Sequence, residues 1–290
     1  MPDFKIFSDS CCDLTRSMAA ELELEILPMT VVNSGREVLY HLESEELPID
    51  RFYSGLRAGA MATTTAINPA EWIGAVRPVL KEGMDALILV FSSGLSTTYN
   101  NARIAAEELC REFPDRRVLV VDSLCASRGE GLFCYHVAKK RLSGASLEET
   151  QRYAEETKLH LCHWFTVDDL MFLKRGGRVS GTAAAVGTLL NIKPVLHVDD
   201  EGHLIPVSKV RGRRASLNAM VAEMMKTAID PQSQTIFIGH GDCLEDAEYV
   251  RDQVAERVGA KEFFIHPIGP IIGAHSGPGT VALFFLGTKR

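Results

Sequence analysis

The sequence predicts an α/β protein: a parallel, Rossmann-like sheet domain followed by a second α/β domain with a mixed sheet. Three observations carry this. Ala86-Leu-Ile-Leu-Val-Phe91 is an uninterrupted apolar run, the pattern of a strand buried on both faces, and Arg117 to Val121 reads as another buried strand. Between them Tyr99, Ala102, Ala106 and Leu109 recur at spacings of 3, 4 and 3, one face of a helix. In the second half this strand–helix alternation gives way to shorter strands, one pair flanking Asp199-Asp-Glu-Gly202 as a hairpin. The chain has 290 residues, and at ~150 residues per domain this suggests two, divided near residue 160 into 1–160 and 161–290.

The elements follow in order. Asp3 to Asp9 reads as the first strand, with Ser10 to Asp13 turning into a helix capped by Ser10 or Asp13. Asn33 to Glu46 is polar and reads as a surface excursion. Asn68-Pro-Ala-Glu71 starts a helix: Asn68 caps, Pro69 takes the first position and Glu71 closes a capping box, with Trp72, Ala75, Val76 and Val79 as its stripe. Leu132, Phe133, His136 and Val137 mark the next helix. Ser146-Leu-Glu-Glu149 is a second capping box, ahead of a stripe through Leu147, Thr150, Ala154, Thr157 and Leu161. Beyond it, Val167 to Lys174 reads as helix, Pro194 to Val198 and His203 to Val207 as the hairpin, and Leu217, Met220, Val221 and Met224 as helix. Thr235 to Gly239 is a strand, Asp242-Cys-Leu-Glu245 caps a helix holding Ala247, Val250 and Val254, and Phe263 to Ile268 and Val281 to Leu286 are strands around a glycine-rich loop.

Composition narrows the function classes. Hydrophobic residues make up 46% and charged residues 24%, ample for folded cores. The formal net charge of −7 gives no broad attraction for nucleic acid or anionic membrane. Met1-Pro-Asp-Phe-Lys5 lacks a signal-peptide pattern, and no apolar run approaches the ~20 residues of a membrane span. Seven cysteines without a CxxC pair argue against disulfides and structural zinc, which suggests a reduced, cytoplasmic protein. There is no GxGxxG, no P-loop, no HExxH and no GxSxG.

What remains is hydroxyls at strand ends. Ser92-Ser93-Gly94-Leu95-Ser96-Thr97-Thr98 joins a buried strand to a helix, where hydroxyls and free backbone N–H groups suit an anion, or merely cap the helix. Thr63, Thr64 and Thr65 form a second cluster, otherwise a plain loop with a side-chain turn. Gly273, His275 and the prolines between Ile268 and Gly279 form a third, in which backbone can approach a ligand closely or simply make a rigid turn. Asp9 and Asp13 suit a cation or a helix cap. Arg175-Gly-Gly-Arg178 and the run Lys209 to Arg214 are the basic foci, lacking the aromatics of a nucleic-acid surface.

Taken in order, Ser8-Asp-Ser with Asp13-Leu, Thr63-Thr-Thr, Ser92-Ser with Leu-Ser, Val121-Asp-Ser with Ala-Ser and Gly, Asp169-Leu with Leu-Lys-Arg-Gly-Gly-Arg178, Ile192-Lys-Pro, Lys209-Val-Arg-Gly, and Ile272-Gly-Ala-His275-Ser-Gly-Pro-Gly279 resemble the DegV family of bacterial fatty-acid-binding proteins. The resemblance spans residues 4–286. It implies two α/β domains, an acyl chain buried between or beneath them, and a carrier that presents the fatty acid to a separate fatty acid kinase for acyl-phosphate formation. It implies no catalysis by this chain, no cofactor and no metal, and it allows transient membrane contact. Carried over, Thr64 with Thr63 or Thr65, and Ser93 beside Ser92, bind the carboxylate. His275 and Gly273 lie next to it, and Arg178 with Arg211 or Arg213 faces the kinase or steadies the head group. The chain departs from the family at Thr97, where many members have Gly, and at Ala66-Ile67, where a Gln-Pro is common. An enzyme reading stands beside this one: acyl or phosphoryl transfer or hydrolysis by Ser93 and His275, for which the sequence names no third residue. A third is a sugar-phosphate or nucleotide binder with a polar pocket.

Overall fold

The structure, a computed structural model, describes residues 4–179 and 191–290. Strands β1 (Phe4–Asp9), β2 (Leu24–Leu27), β6 (Asp85–Val90) and β7 (Val118–Asp122) form a four-stranded sheet in the order β2-β1-β6-β7, parallel throughout. Every residue of β6 is buried, as its apolar run requires. Asp3, assigned to the first strand from sequence, lies outside the described residues. Helices α1 (Arg16–Glu21), α3 (Pro69–Lys81), α4 (Thr98–Glu112), α5 (Arg128–Leu142) and α6 (Leu147–Thr157) belong to this half. Both predicted capping boxes are present, at Asn68/Glu71 and at Ser146/Glu149.

A six-stranded mixed sheet takes the order β10-β9-β8-β13-β11-β12, from β8 (Leu161–Thr166), β9 (Ile192–Val198), β10 (Leu204–Arg211), β11 (Thr235–His240), β12 (Glu262–Pro267) and β13 (Val281–Leu286). Only β11 and β12 pair in parallel. Helices α8 (Arg213–Thr227) and α9 (Leu244–Val258) pack on it around Leu217, Met220, Val250 and Val254, after the short α7 (Met171–Arg175). The predicted hairpin at Asp199–Gly202 is β9–β10. Helix α5 lacks an amphipathic stripe because it is covered on nearly all sides. Its Leu132, Phe133 and Val137 join one apolar cluster with Leu87 and Val121 of the first sheet and Phe165, Ala282 and Phe284 of the second.

Several expectations need correction. The polar stretch Asn33 to Glu46 is not a plain excursion. It contains β4 (Arg36–Tyr40), which pairs with β3 (Met29–Asn33), and β3 pairs in turn with β5 (Ala62–Thr65), an antiparallel sheet ahead of and behind helix α2 (Ile49–Arg57). Val38 and Tyr40 point inward while Arg36, Glu37 and Leu39 stay exposed, so the outward half hides the period of two. Of Val167 to Lys174 only the end is helical, because the Asp169 carboxylate accepts the Met171 N–H (2.8 Å) and α7 starts there. Asp9, not Ser10 or Asp13, caps the 3-10 turn Ser10–Cys12 by accepting the Cys11 N–H. Asp242 does not cap α9; it sits at φ 56° and pairs with Arg57. The glycine-rich loop after β12 contains a helix, α10 (Pro270–Ser276).

Candidate functional site

Where the parallel sheet, the three-stranded sheet and the mixed sheet converge, the side chains leave a narrow slot of about 740 Å3 of empty space, its mouth included. The walls are apolar. Met29 of β3, Phe91 and Leu95 after β6, and Ile271 and Ile272 of α10 form one side; Phe165, Leu204, Ala282 and Phe284 of the mixed sheet form the other. The slot opens into a more polar mouth, and Met29, Thr64, Leu95, Ser96 and Arg178 line both.

The polar groups cluster at that mouth. Thr64 Oγ1 and His275 Nε2 share a hydrogen bond of 2.8 Å. Burial, aided by the neighbouring Arg178 guanidinium, pushes the His275 pKa down to about 4, so its ring is neutral at neutral pH. Arg178 is half-buried. It donates through Nε to the Leu95 carbonyl (3.2 Å) and through Nη1 to the Gly176 carbonyl, and burial lowers its pKa. Among the described residues no carboxylate pairs with it. A cation facing the mouth with no counter-ion among the described residues, beside two hydroxyls and a neutral imidazole, is a donor set for an anion.

The predicted residues separate on inspection. Thr64 lines the slot, whereas Thr63 and Thr65 point to the exposed face of β5, since alternate strand residues face opposite sides. Ser92 is buried and donates to the Gly202 carbonyl (2.9 Å), holding the β9–β10 turn against the loop rather than facing a ligand. Ser93 is exposed and lines the outer mouth. The free N–H groups expected in this loop are taken. Ser92 donates to Cys125, Ser93 to Asp122 Oδ1, Gly94 to Ser92 Oγ, and Leu95 and Ser96 to the Ser92 carbonyl. Gly273 does not line the slot. A Cβ there would stand 2.7 Å from the Tyr53 hydroxyl and 2.9 Å from the Phe52 ring, so the glycine serves helix packing. Arg211 is exposed at the end of β10. Arg213 is not outward-facing: its Nε donates to Asp246 (2.8 Å) and its Nη2 to the Gly279 carbonyl (2.6 Å). Neither lines the slot or its mouth.

Three lining residues were not singled out from sequence. Ser96 lies one turn beyond Ser93, where the loop winds into α4, and so faces the slot. Ser276 has a buried Oγ without a partner among the described residues. His163, fully buried on β8, donates from Nδ1 to the Leu161 carbonyl and accepts the Ala126 N–H at Nε2; burial holds it neutral. Only Ser96 carried a sequence signal, its place in the hydroxyl-rich loop.

The Ser93–His275 pairing that the enzyme reading requires is not formed among the described residues. The Nε2 of His275 goes to Thr64, and no hydrogen bond joins Ser93 to His275 among the described residues. Among the described residues no carboxylate perturbs the His275 ring as an orienting third member would. Among the described residues no helix is long and apolar enough to cross a membrane.

Comparison with known proteins gives consistent matches along the whole chain. The profile of the DegV family, described as uncharacterised proteins, matches residues 3–288. The DegV domain-containing protein CPE0026 of Clostridium perfringens is 43% identical over 290 residues, covering 100% of this chain and 99% of that protein. Among solved structures, a DegV lipid-binding protein from Thermotoga maritima superposes with a TM-score of 0.85 at 29% identity, covering 100% of both chains. A DegV family protein from Thermus thermophilus, described by its fatty acid binding, gives 0.87 at 28% identity, covering 98% of this chain and 99% of that one.

Proposed function

The chain belongs to the DegV family, and on that footing we propose that it binds a long-chain fatty acid, tail in the slot and carboxylate at the mouth. The observation that carries this is the slot itself: an apolar lining that ends at Thr64, Ser96, His275 and Arg178. A sixteen-carbon tail at ~0.8 kcal/mol per methylene gains on the order of 10 kcal/mol on full burial. Lost translational freedom and chain ordering offset part of that. The tail therefore supplies affinity, and the hydroxyls and the guanidinium orient the acid. A carboxylate withdrawn from water needs such donors.

The protein acts as a carrier and a separate fatty acid kinase performs the chemistry. Support comes from the mouth, where Ser93 is exposed and a head group beside it would lie near the surface, and from the lack of a Ser93–His275 hydrogen bond among the described residues. A carboxylate held by hydroxyls keeps one oxygen free to attack a phosphorus delivered by the partner. Denaturing extraction of purified protein followed by mass spectrometry tests the binding step. A stoichiometric long-chain acid is the expected finding; lipid-free protein that also ignores added palmitate and oleate would refute it. Acyl-phosphate formation only when the kinase and ATP are both added tests the carrier step.

A further inference from the structure

A second cavity lies on the other side of the wall that closes the slot. It holds about 960 Å3 of empty space, its open side included. Ser127 lines the slot and Asp13 lines this chamber, joined by a 2.5 Å hydrogen bond from the Ser127 hydroxyl. The other Asp13 oxygen accepts the Gly269 N–H (2.9 Å), so both its oxygens are engaged.

The chamber's inner surface carries Arg128, 1% exposed. Its Nε donates to the His266 carbonyl (3.2 Å), its Nη2 to the Pro267 carbonyl (2.7 Å), and its guanidinium lies 5.0 Å from the Phe264 ring centre. Nη1 is buried and has no hydrogen-bond partner among the described residues; the leading charge acting on the group is the Asp13 carboxylate, whose two oxygens are already engaged. A buried guanidinium nitrogen left unpaired is costly, and its planar N–H array suits a carboxylate. The outer edge of the chamber has the opposite sign. Glu43, Glu45 and Asp50 are exposed there, and Glu43 Oε1 stands 3.5 Å from His266 Nε2.

A simple anion would meet repulsion from that acidic rim, and a simple cation would meet Arg128. We propose that the chamber binds a small zwitterion of the free amino acid class, its carboxylate on Arg128 Nη1 and its ammonium toward Glu43, Glu45 and Asp50. This site is separate from the fatty-acid slot and does not depend on what the slot holds.

Isothermal titration calorimetry of the full chain with glycine, alanine, serine, aspartate and lysine tests the proposal, with acetate and methylammonium as half-ligands. The expected result is a Kd below about 1 mM for at least one amino acid and binding at least about tenfold weaker for both half-ligands. Arg128→Met should lower amino acid affinity by about tenfold or more while co-purifying lipid and the circular dichroism spectrum are retained. If that variant fails to fold, the rim variant Glu45→Gln with Asp50→Asn should weaken the amino acid by a measurable factor in folded protein. Calorimetric silence with every amino acid, acetate binding as tightly as the zwitterions, or unchanged affinity in the folded variants would each overturn it.

Discussion

Thr64 and His275 are 211 positions apart and meet at 2.8 Å, tying the edge strand of the three-stranded sheet to the helix before the last strand. A fatty-acid carboxylate at the mouth would share or replace this bond. Thr64→Val keeps the β-branched shape and removes the hydroxyl. The expected outcome is a fatty-acid affinity lowered by about 1 kcal/mol, several-fold, with the unfolding midpoint little changed. Displacement of a fluorescent fatty acid reads it; an unaltered affinity would take Thr64 out of the head-group site.

Two adjacent serines should separate stability from binding. Ser92 is buried on the Gly202 carbonyl and also accepts the Gly94 N–H, so Ser92→Ala should lower the unfolding free energy by about 1–3 kcal/mol. Ser93 is exposed at the mouth, so Ser93→Ala should shift stability by no more than about 0.5 kcal/mol while weakening ligand retention. Urea unfolding and lipid retention measured on both variants decide this. The reverse pattern would reassign the two residues.

The tail end of the site is testable through its wall. Ala282 of β13 is 5% exposed and lines the slot. Ala282→Leu adds bulk there, at a stability cost of about 1–3 kcal/mol if neighbours must move. Mass spectrometry of the co-purifying acids should show the profile moving to shorter or fewer chains. A profile identical to that of the unsubstituted protein would place the tail elsewhere.

The parts legible in the sequence are those whose information is local. Asn68 and Ser146 announce their helices within four residues, and the apolar run of β6 announces burial on both faces. The three threonines show the limit. Read as a loop they are equivalent; read as a strand, alternation selects Thr64 alone, and that strand was concealed because its partner β3 is remote in sequence. Gly273 has the same lesson in reverse. Its smallness answers to Phe52 and Tyr53, more than 200 positions earlier, so no local pattern tells packing from ligand contact. Arg213 read as a surface charge because its partners, Asp246 and the Gly279 carbonyl, come together only in the fold.

A buried carboxyl pair beneath the slot gives a prediction about pH. Asp9 accepts the N–H groups of Cys11 and Phe91 and lies against the Glu130 side chain, while Glu130 accepts the Ser8 hydroxyl at Oε1 (3.3 Å). Burial raises the pKa of both, and for Glu130 it does so well above 4.5, with the Asp9 charge adding to it. Glu130 is therefore the member that keeps its proton. A carboxyl whose folded pKa exceeds its unfolded value contributes stability that is fully present below the unfolded pKa and is lost as the pH rises through the folded one. Glu130→Gln keeps a neutral polar side chain of the same size and cannot ionise. The variant should match the parent near about pH 4 and exceed it by a growing margin toward about pH 9, as read from urea midpoints at each pH. Cys11, Cys12 and Cys134 face Glu130, and burial is the main cause holding all three protonated. Parallel pH profiles for the two proteins would show that Glu130 does not carry the proton.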